Sequence, residues 1–158
     1  MSGIQKRLSA VMNGRAPPPP IAVTLGMRLA KFSGGKATMT MVVGKKFHNP
    51  LGTLHGGIIT DLADAAMGIA TMTTLSEGET FTTLELKMNF LRPVRSGRIT
   101  ADGAVLHRGG TIALAEVVVR DGEGRTVARG LATQMILKTR SGASGPSANK
   151  KRPLRVGR

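Results

Sequence analysis

Asp64 stands between Ala63 and Ala65, in a stretch from Gly56 to about Leu75 that is otherwise mostly small and apolar. Aspartate is a poor helix-interior residue, and burying its carboxylate without a partner is costly. Two readings follow. On one, Asp61 and Asp64, three residues apart, share a solvated face of a helix. On the other, Asp64 works with what precedes it. His55-Gly56-Gly57 falls where that helix should begin, and bare glycine backbone there leaves N–H groups free to meet a ligand. The start of a helix carries partial positive charge, which suits an oxygen that turns negative during a reaction. Asn49, upstream, adds an amide that can donate or accept. Oxyanion site, orienting amide and carboxylate are the parts needed to hydrolyse an activated acyl group without metal or cysteine.

His55 is a candidate general base, although its place just before a helix favours a loop-fixing hydrogen bond. His48 and His107 have no evident partner and are read as surface or structural residues, and Asp61 as helix surface. The chain contains no cysteine. That removes disulfides, thiolate metal sites and a cysteine nucleophile together, and it fits a reducing compartment, so a cytoplasmic location is expected. No second cluster of Asp and His accompanies Asp64, and no metal site is expected.

The elements that must position these residues are legible from periodicity. Gly3 to Asn13 has Ile4, Leu8 and Val11 at helical spacing and predicts a short amphipathic helix. Pro17 to Pro20 stops it and reads as an extended spacer. Two strands follow, one around Met27 to Phe32 and one over Ala37 to Val43, where Thr alternates with Ala and Met. Gly44 to Gly52 is a loop, and Gly56 to Leu75 a buried helix. Four strands are then expected over Thr80–Leu91, Arg98–His107, Thr111–Arg120 and Thr126–Leu137, in hairpin-like succession with Gly-bearing turns between them. One helix cannot cross back and forth to build a parallel sheet, so an antiparallel sheet wrapped around the helix is expected, an α+β arrangement.

The net charge is +14, but its distribution matters more than its size. Six basic residues and no acid lie between Met1 and Lys36, and seven and no acid between Lys138 and Arg158, so the stretch between nets +1. With four Phe and no Tyr or Trp, the near-neutral middle lacks the cationic groove and stacking platforms of a nucleic-acid binder. No apolar run is long enough to span a bilayer. The expected division is 1–20 as helix and proline spacer, 21–137 as the folded domain, and 138–158 as a basic, disordered tail.

Asn49-Pro50-Leu51-Gly52-Thr53-Leu54-His55-Gly56-Gly57, followed by Leu62-Ala63-Asp64-Ala65-Ala66, resembles the signature of the PaaI-like (phenylacetate-pathway type) hotdog-fold thioesterases. Thr82 to Pro93 resembles the strand that follows the helix in that family, and His107-Arg108-Gly109-Gly110-Thr111 its next hairpin. The resemblance runs from about Ile4 to Leu137. It implies a hotdog fold, an antiparallel sheet around one long central helix, with chains paired into dimers and often into tetramers. Active sites would lie at the dimer interface. The Gly56 N–H would polarise the thioester carbonyl, Asn49 would help hold the carbonyl or the attacking water, and Asp64 of the partner subunit would act as general base or direct nucleophile. Thr83 falls where a hydroxyl residue assists the carboxylate in some members.

The substrate implied is an acyl-CoA; coenzyme A enters only as part of it, and no separate cofactor is expected. Its phosphates need cations, for which Arg92, Arg95 and Arg108 lie on strand ends or turns. Arg108 is preferred, because Gly109 and Gly110 would let a bulky group approach the backbone. Met67, Met72, Phe81 and Phe90 suit aromatic or medium aliphatic acyl groups alike. The main rival keeps the fold and drops the chemistry, giving a non-catalytic acyl-CoA-binding or regulatory protein.

Overall fold

In a computed structural model of the protein, residues 3–138 are described. The expected basic tail therefore lies, apart from Lys138, outside the described residues. The chain runs through helix α1 (Gly3–Met12), helix α2 (Pro20–Leu25), strands β1 (Arg28–Ser33) and β2 (Lys36–Val43), and a single 3-10 turn (Lys45–Phe47). Helix α3 (Gly56–Met72) and strands β3 (Glu79–Phe90), β4 (Gly97–Arg108), β5 (Ile112–Arg120) and β6 (Thr126–Lys138) follow. The six strands form one antiparallel sheet in the order β1-β2-β4-β5-β6-β3. Helix α3 touches all six of them, most extensively β4 and β2.

Two expectations need correction. The proline stretch is not an extended spacer throughout, because Pro20 is the first residue of α2. A proline at that position loses no hydrogen bond, since the first N–H groups of a helix have no partner in it, and its fixed φ suits the turn. Gly26 ends α2 in the left-handed conformation at φ 70°. The last four strands are also not a simple run of hairpins. β3 pairs with β6 at the sheet edge, while β4 pairs with β2. The link between them, 91–96, must cross the sheet. Its first N–H groups, on Leu91 and Arg92, donate to Val127 O, and the carbonyl of buried Val94 accepts from Leu54 N–H at 2.7 Å, just ahead of α3.

The core lies between α3 and the concave face of the sheet. On β5, Ala113, Ala115, Val117 and Val119 are buried while their neighbours are half-exposed, the alternation expected of a strand with one covered face. Against them α3 presents Ile59, Leu62, Ala63, Ala66, Met67 and Ala70. Fully buried Leu62 and Met67 each contribute about 1.5–3 kcal/mol of transfer free energy. The small residues matter as much. Gly103 on β4 lies so close under α3 that a Cβ there would stand 2.6 Å from the Ala66 carbonyl carbon. No larger residue fits without moving the helix, which is how the sheet comes to wrap so tightly.

Candidate active site

The start of α3 is fixed by the loop before it. Asn49 closes that loop on itself. Its Oδ1 accepts from the N–H groups of Leu51 (3.0 Å) and Thr53 (3.2 Å), its Nδ2 donates to Thr53 Oγ1 (3.0 Å), and its N–H donates to Thr53 O (2.8 Å). An asparagine doing this replaces a backbone turn with its own amide. Asn49, expected to help hold the carbonyl or the attacking water, has most of its hydrogen-bonding capacity engaged in shaping the loop. His55 is the N-cap of α3; its Nδ1 accepts from Gly57 N–H at 2.9 Å, and its own N–H donates to Phe47 O at 2.9 Å. This is the loop-fixing arrangement, with the nitrogen nearest the backbone already occupied.

Directly after His55 comes Gly56, the first residue of α3. Ile58 and Ile59 donate to His55 O and Gly57 to the His55 ring, whereas the Gly56 N–H has no partner among the described residues. It sits at the positive end of a 17-residue helix. A Cβ at Gly56 would stand 3.0–3.3 Å from atoms of the Phe90 ring, so the absent side chain lets that ring lie over this backbone. Phe90 is itself 53% exposed.

Asp64 follows eight residues later, roughly 12 Å along the helix axis. Its carboxylate is half-buried, and Thr83 Oγ1 of β3 donates to its Oδ1 at 3.1 Å. Its second oxygen has no partner among the described residues. Elsewhere Glu79, Asp102 and Asp121 each hold an arginine, at 2.5, 2.9 and 2.8 Å. Asp64 holds no cation among the described residues. Asp61 is exposed, as expected of a helix-surface residue.

Thr83 and Phe90 both face α3 although strand parity puts them on opposite faces. A register shift between Thr83 and Glu85 inserts one residue, Leu84, and turns Leu86, Met88 and Phe90 to the side that Phe81 and Thr83 already face. Strand alternation alone gave no sign of it.

Arg108 lies at the other end of the helix. β4 ends beside Gly35, whose N–H donates to Thr73 Oγ1 at 2.7 Å, and Thr73 caps the C-terminus of α3. There Arg108 pairs with Glu79 Oε2 and also donates to Gly109 O, while Ser76 N–H donates to the same Glu79 oxygen at 2.9 Å. The Ser76 N–H first, and the Arg108 guanidinium second, hold the Glu79 carboxyl below the usual carboxylate range. Within one chain, then, Arg108, Gly109 and Gly110 are not brought together with Gly56. The cations near Gly56 are on neighbouring loops: Arg92 and Arg95 in the β3–β4 link, and Lys45 and Lys46 in the 3-10 turn, all four exposed. His48 joins the two loops through Nε2 and Arg95 O at 2.8 Å. Of the apolar candidates, Met67 is fully buried in the core and Met72 is on the surface. Among the described residues no group of three His, Cys, Asp or Glu is placed to hold a metal ion.

The thioesterase superfamily model matches residues 51–128, a span that includes the end of the Asn49 loop, α3, strands β3 to β5 and the start of β6. A 1,4-dihydroxy-2-naphthoyl-CoA hydrolase of Listeria monocytogenes is 31% identical over 98 residues, which are 62% of this chain and 80% of that protein. The chain belongs to the thioesterase superfamily. The proofreading thioesterase EntH of Klebsiella pneumoniae is 33% identical over 64% of this chain and 74% of its own length. In three dimensions, a thioesterase of Haemophilus influenzae superposes with a TM-score of 0.76 at 26% identity, covering 87% of this chain and 94% of that one. The architecture is therefore the hotdog fold expected from the resemblance, and in this thioesterase-superfamily chain α3 is its central helix.

Proposed function

We propose that this protein hydrolyses acyl-CoA thioesters to the free acid and coenzyme A. The observation that carries this reading is Asp64: a carboxylate on the central helix of a thioesterase fold, steadied by one hydroxyl, with no cation to neutralise it among the described residues. The thioester carbonyl oxygen accepts from the Gly56 N–H, and the positive helix end stabilises the charge that develops there. Asp64 then takes a proton from water as water adds to the carbonyl carbon, or its own oxygen adds first and water cleaves the resulting anhydride. On either route the C–S bond breaks, the thiolate leaves and is protonated, and the acid is released.

Gly56 and Asp64 of one helix are about 12 Å apart, whereas reacting groups must approach to about 3–3.5 Å. One chain therefore cannot supply both to one substrate. The twelve-residue β3 lies at the edge of the sheet with one side unpaired among the described residues, and a two-fold pairing of two β3 strands would carry Thr83 and Asp64 of each chain toward the other. A homodimer, alone or paired into a tetramer, is the form in which the site is complete. Arg92, Arg95, Lys45 and Lys46 around the same helix start suit the phosphates of coenzyme A better than Arg108, which is already paired with Glu79. No helix among the described residues is long and apolar enough to cross a membrane, and we place the activity in the cytoplasm, where a cysteine-free chain loses nothing.

The decisive experiment is release of coenzyme A from a panel of aliphatic and aromatic acyl-CoAs by wild type and Asp64→Asn. Loss of about 10²–10⁴-fold in a folded variant supports the mechanism. Binding without hydrolysis by wild type would instead make this a non-catalytic acyl-CoA-binding protein, and hydrolysis indifferent to the substitution would remove Asp64 from the mechanism.

A further inference from the structure

The surroundings of Asp64 differ in the two directions along α3. One turn toward the helix start lie Thr60, whose hydroxyl donates to Gly56 O at 2.9 Å, and the exposed carboxylate of Asp61. One turn toward the helix end lies Gly68, which has no side chain and is covered by the ring of Phe81. A Cβ at Gly68 would stand 3.2 Å from the Phe81 Cζ. Phe81 is two residues before Thr83 on β3 and so shares the strand face that bears the hydroxyl holding Asp64. Its ring is half-buried and packs against the cluster of Leu75, Ala113 and Ile136. Beside it Thr71 and Gln134 are both fully buried and hydrogen-bonded to each other, Gln134 lying opposite Thr83 in the β3–β6 pair.

An apolar acyl chain whose carbonyl is within reach of Asp64 is closed in by the interior of the fold in only one of these directions. Toward the helix start the helix offers Thr60 and exposed Asp61, and β3 offers Leu86, Met88 and half-exposed Phe90, a path that leads past Gly56 to open surface. Toward the helix end it meets, within one turn of about 5.4 Å, the Phe81 ring lying on Gly68. We propose, on the acyl-CoA hydrolase reading above, that Phe81 is the end wall of the acyl pocket and the specificity-determining residue for acyl length. The wall is a side chain from the strand standing where the helix has none, so its size sets the depth of the pocket without altering the carboxylate or its hydroxyl partner.

The test compares kcat/KM of wild type, Phe81→Ala, Phe81→Leu and Gly68→Ala over straight-chain acyl-CoAs from acetyl to hexadecanoyl, with melting temperature as the check on folding. A methylene that does not fit an apolar pocket costs about tenfold or more in discrimination. Phe81→Ala is expected to gain at least about tenfold on chains beyond the wild-type cut-off relative to its own rate on shorter ones. Phe81→Leu should gain less, and Gly68→Ala, whose methyl crowds the ring, should move the cut-off to shorter chains. An unchanged length profile in a folded Phe81→Ala overturns the assignment and leaves the hydrolase reading standing. Hydrolysis of no panel member by wild type overturns both. Where Phe81→Ala does not fold, Phe81→Leu and Gly68→Ala decide: shifts in opposite directions support the end wall, and no shift in either removes it.

Discussion

Gly103→Ala is the smallest change that tests how α3 is held. A Cβ at that position would stand 2.6 Å from the carbonyl carbon of Ala66, 2.7 Å from its oxygen and 2.8 Å from the Met67 nitrogen. Carbon atoms settle at about 3.5 Å or more, so β4 and α3 must part by about 0.9 Å to admit one methyl group. All three obstructing atoms are backbone, and no rotamer change relieves them. Overpacking of this kind costs about 1–3 kcal/mol. In a domain of this size each kcal/mol lowers the melting temperature by about 2–4 °C, so a fall of about 2–12 °C is expected. The strain also reaches the site, because Asp64 precedes Ala66 by only two residues while Thr83 is anchored on a different strand. A displacement near 1 Å can cost up to about 10²-fold in rate. Thermal melts followed by circular dichroism, with coenzyme A release measured on the same samples, read both effects. Gly110→Ala is the control, since a Cβ there meets nothing within 4 Å. A Gly103→Ala protein that melts within about 1 °C of wild type and matches its rate would refute the tight contact between β4 and α3.

Thr83→Val removes the hydroxyl that donates to Asp64 and leaves the shape of the side chain, so kcat should fall about tenfold with little change in melting temperature. Thr83→Ser should restore most of it; equal loss in both variants would mean the hydroxyl does not act on the carboxylate. Glu79 predicts an acid-side effect. Its carboxyl is held below its ordinary value by the Ser76 N–H and Arg108, so its contribution to stability is full above about pH 4.5 and is lost as pH falls through the lowered folded value. Melting temperature measured from pH 6 down to pH 3 should therefore fall less steeply in Glu79→Gln than in wild type, and parallel curves would show that the Glu79–Arg108 pairing is not formed.

Much of this architecture is legible in the sequence because the elements have clean boundaries. The alternation over Ala37 to Val43, the glycine turns after Arg108 and Asp121, and the apolar run through α3 each state their structure locally. Pairing order is not local. Arg95-Ser96-Gly97 reads as a hairpin turn, yet the link it ends crosses the sheet, because Val94 is buried and bonded to Leu54 more than thirty residues upstream. The site divides the same way. Asp64 betrays itself as a carboxylate out of place, and Gly56 as bare backbone at a helix start. That Arg108 is paired with Glu79 and that one inserted residue brings Phe90 round to Gly56 depend on a contact between distant segments and on a slip that leaves the residue types unchanged, whereas the engagement of Asn49 by Leu51 and Thr53 is local to the loop.

The rise of a single helix bears on how the protein must work. If Gly56 and Asp64 serve one reaction from two chains, two inactive variants should rescue each other. Asp64→Asn keeps the N–H donor and loses the carboxylate. Gly56→Pro does the reverse, since proline is tolerated at the first helical position but has no N–H, and the ring it meets, that of Phe90, is half-exposed and free to turn. In a refolded equal mixture half the dimers are mixed. Each mixed dimer has one site with both groups intact and one with neither, so activity should recover to about a quarter of wild type. Each variant alone should stay near background. If both groups came from the same chain, every site in the mixture would lack one of them and mixing would restore nothing. A null result with mixed dimers verified by mass spectrometry would therefore remove the two-chain site, and with it either Gly56 or Asp64, because one helix cannot bring both to the same carbonyl.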